Sequence, residues 1–504
     1  MVRMVRGAMA SNPSATLLEA DAGRPRPDAG AASEPLAAPV RATRHGRDWP
    51  TPAMVAGGVR AVDFIVVVGA GFVVHGGSPD PAEGYGLAFG GVLLVLLADP
   101  GDLARPGTGL WRLFKLWVGV VALAALPGLI LGTGPAPWLA VWAALGGLSL
   151  VVARLALAVL MRAAWRRGWL LRHVALVGAG PIGQRLIDRL ARAAPDVRLV
   201  GLFDDRRAAR APGAVRPAGP RTPVRGTVDD LLAFARRQRV DEVIVALPLA
   251  AEARVLACLR KLSTLPVDLR LCTDLAGFSL PRGDLARRGG VPLLAVGERP
   301  LAGWSRLVKA VEDRLLAALL LAAASPLLLL IAVAVRLDSP GPVLFRQSRY
   351  GFNQVPFQVL KFRTMREGAA TPDGGGAGLA QARRRDPRVT GVGRVLRRTG
   401  LDELPQLLNV LRGEMSLVGP RPHAVAHDEH YGGLVRDYAA RHRVKPGITG
   451  WAQVNGLRGE TRDVERMAAR VAHDLWYIDH WSPSLDLWIL LRTLPLVLGD
   501  RSAW

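Results

Sequence analysis

The sequence predicts a multi-domain membrane protein: a four-helix transmembrane bundle, a Rossmann-like α/β domain, and an α+β domain carrying a re-entrant membrane helix. Three observations lead there. Half of the 504 residues are hydrophobic and the mean hydropathy is +0.22, too apolar for an ordinary soluble chain. Four apolar runs precede a segment of alternating strand and helix texture. A fifth run is interrupted at its centre by Ser325-Pro326.

Residues 1–52, rich in Ala, Pro, Gly, Ser and Arg, read as a disordered basic arm. No apolar run with a cleavage site follows Met1, so a signal peptide is not expected. Residues 53–168 hold the four expected spans, near 57–75, 86–98, 116–132 and 137–160; the second is short for a bilayer. Arg41, Arg44, Arg47 and Arg60 sit at the entry to the first run, Arg105, Arg112 and Lys115 between the second and third, and Arg162, Arg166, Arg167 and Arg172 after the fourth. The links at 78–85 and 133–135 contain no Lys or Arg. By the positive-inside rule both ends of this bundle face the cytoplasm. Arg154 is the main polar exception within the runs.

Residues 169–300 change texture. His173-Val-Ala-Leu-Val177 reads as a strand, followed by Gly178-Ala-Gly180-Pro-Ile-Gly183 and a helix over 184–192. Strands at 198–203 and 243–247 follow, with Asp204-Asp205 about 20 positions after the glycines. This is a dinucleotide-type β-α-β fingerprint. The glycine turn can serve pyrophosphate or can merely pack helix on strand.

Residues 301–504 open with the fifth run, 315–335. Pro326 removes a helix hydrogen bond there, and Lys309, Arg314, Arg336 and Arg346 flank both ends. A re-entrant hairpin, with Ser325 and Pro326 at its break, keeps both ends cytoplasmic. Next comes Thr399-Gly-Leu-Asp402-Glu403-Leu-Pro405-Gln-Leu-Leu-Asn-Val-Leu-Arg-Gly413. It reads as a short helix with Pro405 at its first position, Gly413 at its stop, and Leu404, Leu407, Leu408 and Leu411 as the buried stripe. Asp402 and Glu403 then lie at or just before a helix N-terminus, where the dipole favours negative charge or a phosphate. Adjacent carboxylates can hold Mg²⁺ or simply cap the helix.

The surrounding motifs are Asp338-Ser-Pro-Gly-Pro, Lys361-Phe-Arg363-Thr-Met365, Asp386-Pro-Arg388-Val-Thr390, Ser416-Leu-Val-Gly-Pro-Arg421-Pro422 and Lys445-Pro-Gly-Ile-Thr-Gly-Trp-Ala-Gln453. Over about residues 303–501 they resemble the bacterial sugar transferases, the polyprenyl-phosphate hexose-1-phosphate transferases. The front bundle and α/β middle resemble the large members of that family. The resemblance implies that Asp402 is the nucleophile, taking sugar phosphate from a UDP-sugar with release of UMP, and that Glu403 is a magnesium ligand or general base. It implies phosphate and nucleotide contacts from Lys361, Arg363, Arg388, Arg398 and Arg421, which suits chemistry that builds charge on phosphate. Gly400 stands where the family commonly has serine. The stretch from Arg441 to Thr461 is similar to the branch using UDP-glucose. The expected setting is a multi-pass protein of the cell inner membrane with a cytoplasmic catalytic domain, serving exopolysaccharide assembly. Expected partners are UDP-sugar, polyprenyl phosphate lipid, the membrane and a second copy in a homodimer.

The net charge of +23 agrees with anionic partners, but no nucleic-acid reading module is present. Cys258 and Cys272 are in no redox or metal spacing. His423, His427, Asp428 and His430 could form a metal cluster or be ordinary histidines. Trp476, Trp481, Trp488 and Trp504 could form an interfacial belt or pack in a core. An NAD-dependent sugar-nucleotide dehydratase would explain the glycines but needs Tyr-x-x-x-Lys, and no tyrosine here has lysine four residues on.

Overall fold

The computed structural model describes residues 52–74, 106–130, 137–168, 171–194, 196–207, 222–272, 286–288, 291–366, 386–459 and 463–499. The chain divides into two compact units that part at Leu171 and Arg172.

The first unit contains helices Pro52–Val74 (α1), Pro106–Ile130 (α2) and Pro137–Arg166 (α3). The expected run at 86–98, and the basic arm apart from its last residue, lie outside the described residues. Val67, Leu113, Trp117, Leu139 and Trp142 form the bundle core. Arg154 of α3 donates to Asp63 of α1 at 3.2 and 2.5 Å, both side chains buried. These two buried charges thus neutralise one another among the apolar helices. Across the chain, two described helices are long and apolar enough to cross a membrane, Trp138–Ala164 and Trp304–Asp338, with Leu113–Leu126 shorter.

The second unit begins with the α/β region: Arg172–Val177 (β1), Pro181–Ala193 (α4), Val197–Phe203 (β2), Val224–Gly226 (β3), Val228–Arg237 (α5), Glu242–Val245 (β4), Glu252–Leu262 (α6), Asp268–Cys272 (β5), Ala286–Arg288 (β6) and Val291–Gly297 (β7). The sheet order is β3-β2-β1-β4-β5-β7-β6. The first five strands are parallel; β7 joins β5, and β6 joins β7, antiparallel. Alternation along β1 divides the core. Val174 and Leu176 pack with Ile182, Leu186 and Leu190 of α4, while Ala175 and Val177 pack with Leu231 of α5 and Val255 of α6. This is the Rossmann-like arrangement the glycine motif predicts.

The remainder holds Trp304–Asp338 (α7), the hairpin Leu344–Tyr350 (β8) and Pro356–Phe362 (β9), Gly391–Thr399 (α8), Gln406–Arg412 (α9), Ser416–Val418 (β10), Val425–Gly432 (α10), Gly447–Thr449 (β11), Trp451–Val454 (α11), Val464–Asp479 (α12) and Pro483–Gly499 (α13). β10 and β11 pair in parallel. The core joins Ala317 of α7 to Leu407, Val410, Leu417, Trp451 and Tyr477.

Helix α7 differs from expectation at Ser325-Pro326. It runs unbroken for 35 residues with Pro326 inside. Proline withholds the N–H that would reach the carbonyl of Ala322, and the Ser325 hydroxyl donates to that same carbonyl at 2.8 Å. The serine thus supplies the hydrogen bond its neighbour cannot, and the helix continues. Both halves of α7 are tied to one folded body. Asp313 accepts from Lys309, from the Ser416 hydroxyl and from the Leu417 amide, and Lys309 also pairs with Asp486 of α13 at 2.6 Å. At the other end Arg363 donates to the carbonyls of Ser339 and Pro340 at 2.6 and 2.7 Å. Between these ties Leu319, Leu320, Leu327, Leu329 and Leu330 are exposed.

Candidate active site

Three pieces of chain bring the acid pair and its cations together. Strand β9 carries Lys361, and α9 fixes that strand through Asn409, which is fully buried. The Asn409 amide accepts from the Leu360 N–H at 3.0 Å and donates to the Gln358 carbonyl at 2.8 Å. It thus completes the edge of β9 as a neighbouring strand would. The loop after β10 carries Arg421. Between them, Asp402 and Glu403 sit in a 3-10 turn, Leu401–Glu403, entered through Gly400 at φ 69°. That left-handed conformation is cheap only for glycine, a physical reason for glycine where the resembling family commonly has serine.

Helix α9 begins at Gln406, with Pro405 one position earlier than expected; Gly413 ends it as expected, at φ 80°. Its deepest side chains are Gln406, Leu407, Asn409 and Val410, with Leu404, Leu408 and Leu411 half-buried. Asp402 and Glu403 therefore lie just before the N-terminus of α9, in the turn that leads into it, and side-chain cations surround the pair there. Glu403 Oε1 accepts from Lys361 Nζ at 2.7 Å and from Arg421 Nη2 at 2.7 Å, and Oε2 accepts from Arg421 Nη1 at 3.1 Å. Among the described residues the Asp402 carboxylate accepts no such bond.

The two carboxyls consequently titrate apart. Burial alone would raise Glu403, but Arg421 and Lys361 outweigh it and hold this carboxyl well below the usual range. Burial, and then the negative charge of Glu403, push Asp402 up to about 6, against the pull of Lys361, Arg397 and Arg421. One acid is neutralised by fixed cations, and the other is half-buried beside them without a hydrogen bond from the described protein groups. The donor set fits Mg²⁺ through Asp402, since this ion takes one or two carboxylates together with phosphate oxygens. Glu403 fits less well as a ligand, because Oε1 already takes two donors.

The other anticipated residues separate. Arg363 is buried and spends its guanidinium on the end of α7, away from the acid pair, as a cap for orphan carbonyls. Arg388 forms a two-pronged pair with Asp386 at 2.9 and 2.6 Å. Arg398 is exposed on α8. Its neighbour Arg397 instead donates to Thr364 at 2.9 Å and lends its charge to Asp402. Gly393, one turn earlier on the same face, allows this approach, because a Cβ there would stand 2.2 Å from the Thr364 carbonyl oxygen.

A buried network stands behind Arg421. Arg441 Nη2 donates to the Arg421 carbonyl at 2.8 Å and to Asp474 at 2.7 Å. His423 Nδ1 lies 2.6 Å from Arg441 and 2.7 Å from the Tyr438 hydroxyl, which donates to Asp428. His423 precedes α10 and does not share a helical face with His427 and His430, which lie against Tyr431. No cluster of three or more potential metal ligands is present among the described residues. Trp476 and Trp488 pack on Trp451 at 4.7 and 5.5 Å, and Trp481 donates to Asp486, so these three belong to the core; Trp504 lies outside the described residues. The exposed apolar stripe of α13 is Leu487, Leu491 and Leu494.

The glycine loop of the α/β region is close-packed. A Cβ at Gly183 would stand 2.0 Å from the Gly178 carbonyl oxygen. Asp204 turns back into the loop and accepts from the Ala179 amide at 2.8 Å, and Pro181 opens α4 without an N–H. A carboxylate thus takes a donor that a pyrophosphate would use, and its charge opposes phosphate. The loop does not fit a dinucleotide or coenzyme A bound through its pyrophosphate.

Residues 304–500 match the bacterial sugar transferase family, and residues 100–273 match a CoA-binding domain. The UDP-glucose:undecaprenyl-phosphate glucose-1-phosphate transferase of Escherichia coli (strain K12) is 42% identical over 371 residues, covering 73% of this chain and 76% of that protein. The protein of the same name from Xanthomonas campestris pv. campestris is 36% identical over 465 residues, covering 88% and 94%. That from Caulobacter vibrioides is 51% identical over 246 residues, covering 49% and 84%. The matched segment contains the acid pair and each cation around it, and the long relatives extend the likeness through most of the chain: it belongs to the bacterial sugar transferase family and is a transferase.

Proposed function

We propose that this chain transfers glucose 1-phosphate from UDP-glucose to undecaprenyl phosphate through a covalent intermediate on Asp402, as the first step of exopolysaccharide or capsule repeat-unit assembly. The observation that carries the reading is the asymmetry of the acid pair. A carboxylate oxygen of Asp402, free of hydrogen bonds among the described residues, attacks the β-phosphorus. The bond to the α-phosphate's bridging oxygen breaks, and UMP leaves with the electron pair. An oxygen of the lipid phosphate then attacks the same phosphorus and displaces the carboxylate. Lys361, Arg397 and Arg421 offset the charge that gathers on the phosphate, with Glu403 holding two of them in position. Asp402 is the residue that would hold Mg²⁺, which would supply Lewis-acid polarisation of the phosphate. The names of the long relatives support glucose as the sugar and undecaprenyl phosphate as the acceptor.

The membrane arrangement belongs to the same proposal: a four-helix bundle, and α7 entering the bilayer with both ends on the cytoplasmic face of the inner membrane. A helix tied near Asp313 and again near Ser339 to one compact body cannot put those ties on opposite sides of about 30 Å of hydrocarbon. The Leu487–Leu491–Leu494 stripe adds a second apolar face on that body. Cysteines replacing Leu307 and Leu337, both exposed, are expected to react from the cytoplasmic side alone. Labelling from opposite sides would show a span. A homodimer is the expected assembly, read by mass in nanodiscs. For the reaction, membranes containing the protein are given labelled UDP-glucose, UDP-galactose and UDP-N-acetyl sugars. Label from UDP-glucose should enter the lipid fraction; transfer from another sugar in preference overturns the substrate assignment.

A further inference from the structure

We propose that the cavity beneath the N-terminal half of α7 is a second anion site, built for a phosphate group and separate from the acid pair. The cavity has a volume of about 50 Å³ and is lined by Leu301, Arg306, Phe352, Arg443, Lys445 and Tyr477 among others. Neither Asp402 nor Glu403 lines it, nor do their cations Lys361, Arg397 and Arg421. A single water needs about 10–15 Å³ by this measure. The cavity therefore admits a phosphate group and is too small for a whole nucleotide sugar.

Four cations, Arg306, Lys309, Arg443 and Lys445, line it against one carboxylate, Asp313. The nearby carboxylates are already spent inside the core: Asp313 accepts from Lys309, Ser416 and Leu417, and Asp486 accepts from Lys309, Tyr477 and Trp481. Lys445 forms no ion pair among the described residues. Its Nζ and the Arg314 Nη2 lie 3.5 and 3.3 Å from the point where a Cβ on Gly413 would stand, so a further cation, outside the lining itself, stands close to Lys445. Arg306 lies over the Phe352 ring at 5.4 Å from its centroid. The buried Nε of Arg443 lacks a hydrogen-bond partner among the described residues, while its Nη2 donates to the Glu298 carbonyl. Burial, with Arg306 and Arg314 beside it, pushes the Lys445 ammonium down to about 8. Such a cluster is stabilised by an anion that brings several acceptor oxygens, and phosphate meets a lysine point charge and arginine forks together.

Two sources carry that group: an anionic phospholipid headgroup or free phosphate. The residues along α7 beside the cavity favour the lipid, because Leu307, Val308, Val311 and Leu315 are exposed there and acyl chains would cover them. The test uses the full-length protein in detergent, titrated with phosphatidylglycerol and read by native mass spectrometry, with parallel thermal unfolding in inorganic phosphate against chloride of equal ionic strength. The wild type should retain a tightly held phosphatidylglycerol that Lys445→Gln and Arg306→Gln bind about tenfold more weakly, while Lys445→Arg keeps it. Stabilisation of the wild type by inorganic phosphate, lost in Lys445→Gln without any difference in lipid retention, supports the same site with free phosphate as its ligand. Should Lys445→Gln fail to fold, the half-buried Arg306 carries the comparison. Equal lipid retention and equal phosphate response in the wild type and the neutral variants overturns the proposal.

Discussion

The chain contains two places where acidic residues meet a phosphate-type motif, and they are built with opposite electrostatics. In the α/β region Asp204 accepts from the glycine-loop amide and from the Arg206 amide, so the acid fills the anion position itself. In the transferase region Lys361 and Arg421 take up Glu403, and Asp402 is left desolvated with Arg397 near it. The lesson is that a motif names the residue types and the partners decide the chemistry. An acid that is satisfied by its own loop packs a fold; an acid that is desolvated beside unspent positive charge is reactive.

The comparison predicts a graded series of effects. The largest falls on Asp402→Asn: a neutral amide is a far poorer nucleophile, and turnover into lipid should drop by about 10⁴ or more. Glu403→Gln should follow, at about 10²–10³-fold in kcat, because Lys361 and Arg421 lose the anion that fixes them. A steady-state assay with purified lipid acceptor measures both.

Stability should move the other way at Asp402. A carboxyl whose folded pKa lies near 6, above its ordinary 3.8, binds its proton more tightly when folded. Stability therefore falls as the pH rises from 3.8 through 6, and stays low above that range. In metal-free buffer at pH 8, Asp402→Asn should be more stable than the wild type by about 2–3 kcal/mol, with the gap closing below pH 4. Thermal melts across that range check it, and an unchanged gap would place Asp402 in a solvated setting. The smallest effect belongs to the other region. Asp204→Asn should cost about 1–2 kcal/mol of stability from weakened bonds to two amides, and should leave transfer to lipid unchanged.

Much of this was legible in residues whose meaning is local. The β-α-β pattern, the Gly413 stop and the acid pair stand in the sequence as spacing and residue type. What was not legible depended on which elements face one another. Arg363 reads as one more phosphate-binding cation until the end of α7 arrives beside it. Arg397 and Arg398 are indistinguishable until α8 packs Gly393 on Thr364. Asn409, an unremarked residue inside a leucine-rich stretch, sets the strand that carries Lys361. At Ser325-Pro326 the residue types name a break, and only the structure shows the serine hydroxyl donating to the Ala322 carbonyl that the proline leaves without a donor.

The account turns on the Asp402 carboxylate, which accepts no hydrogen bond from the described residues. Its most direct test is a single-turnover reaction of the purified protein with Mg²⁺ and UDP-glucose labelled at the β-phosphate, without lipid acceptor. The account predicts about one equivalent of UMP released per active site, with label retained on the protein, lost in Asp402→Asn, and discharged when undecaprenyl phosphate is added. Release of UMP only after the lipid is present, with no label on the protein at any time, would contradict it and favour direct transfer.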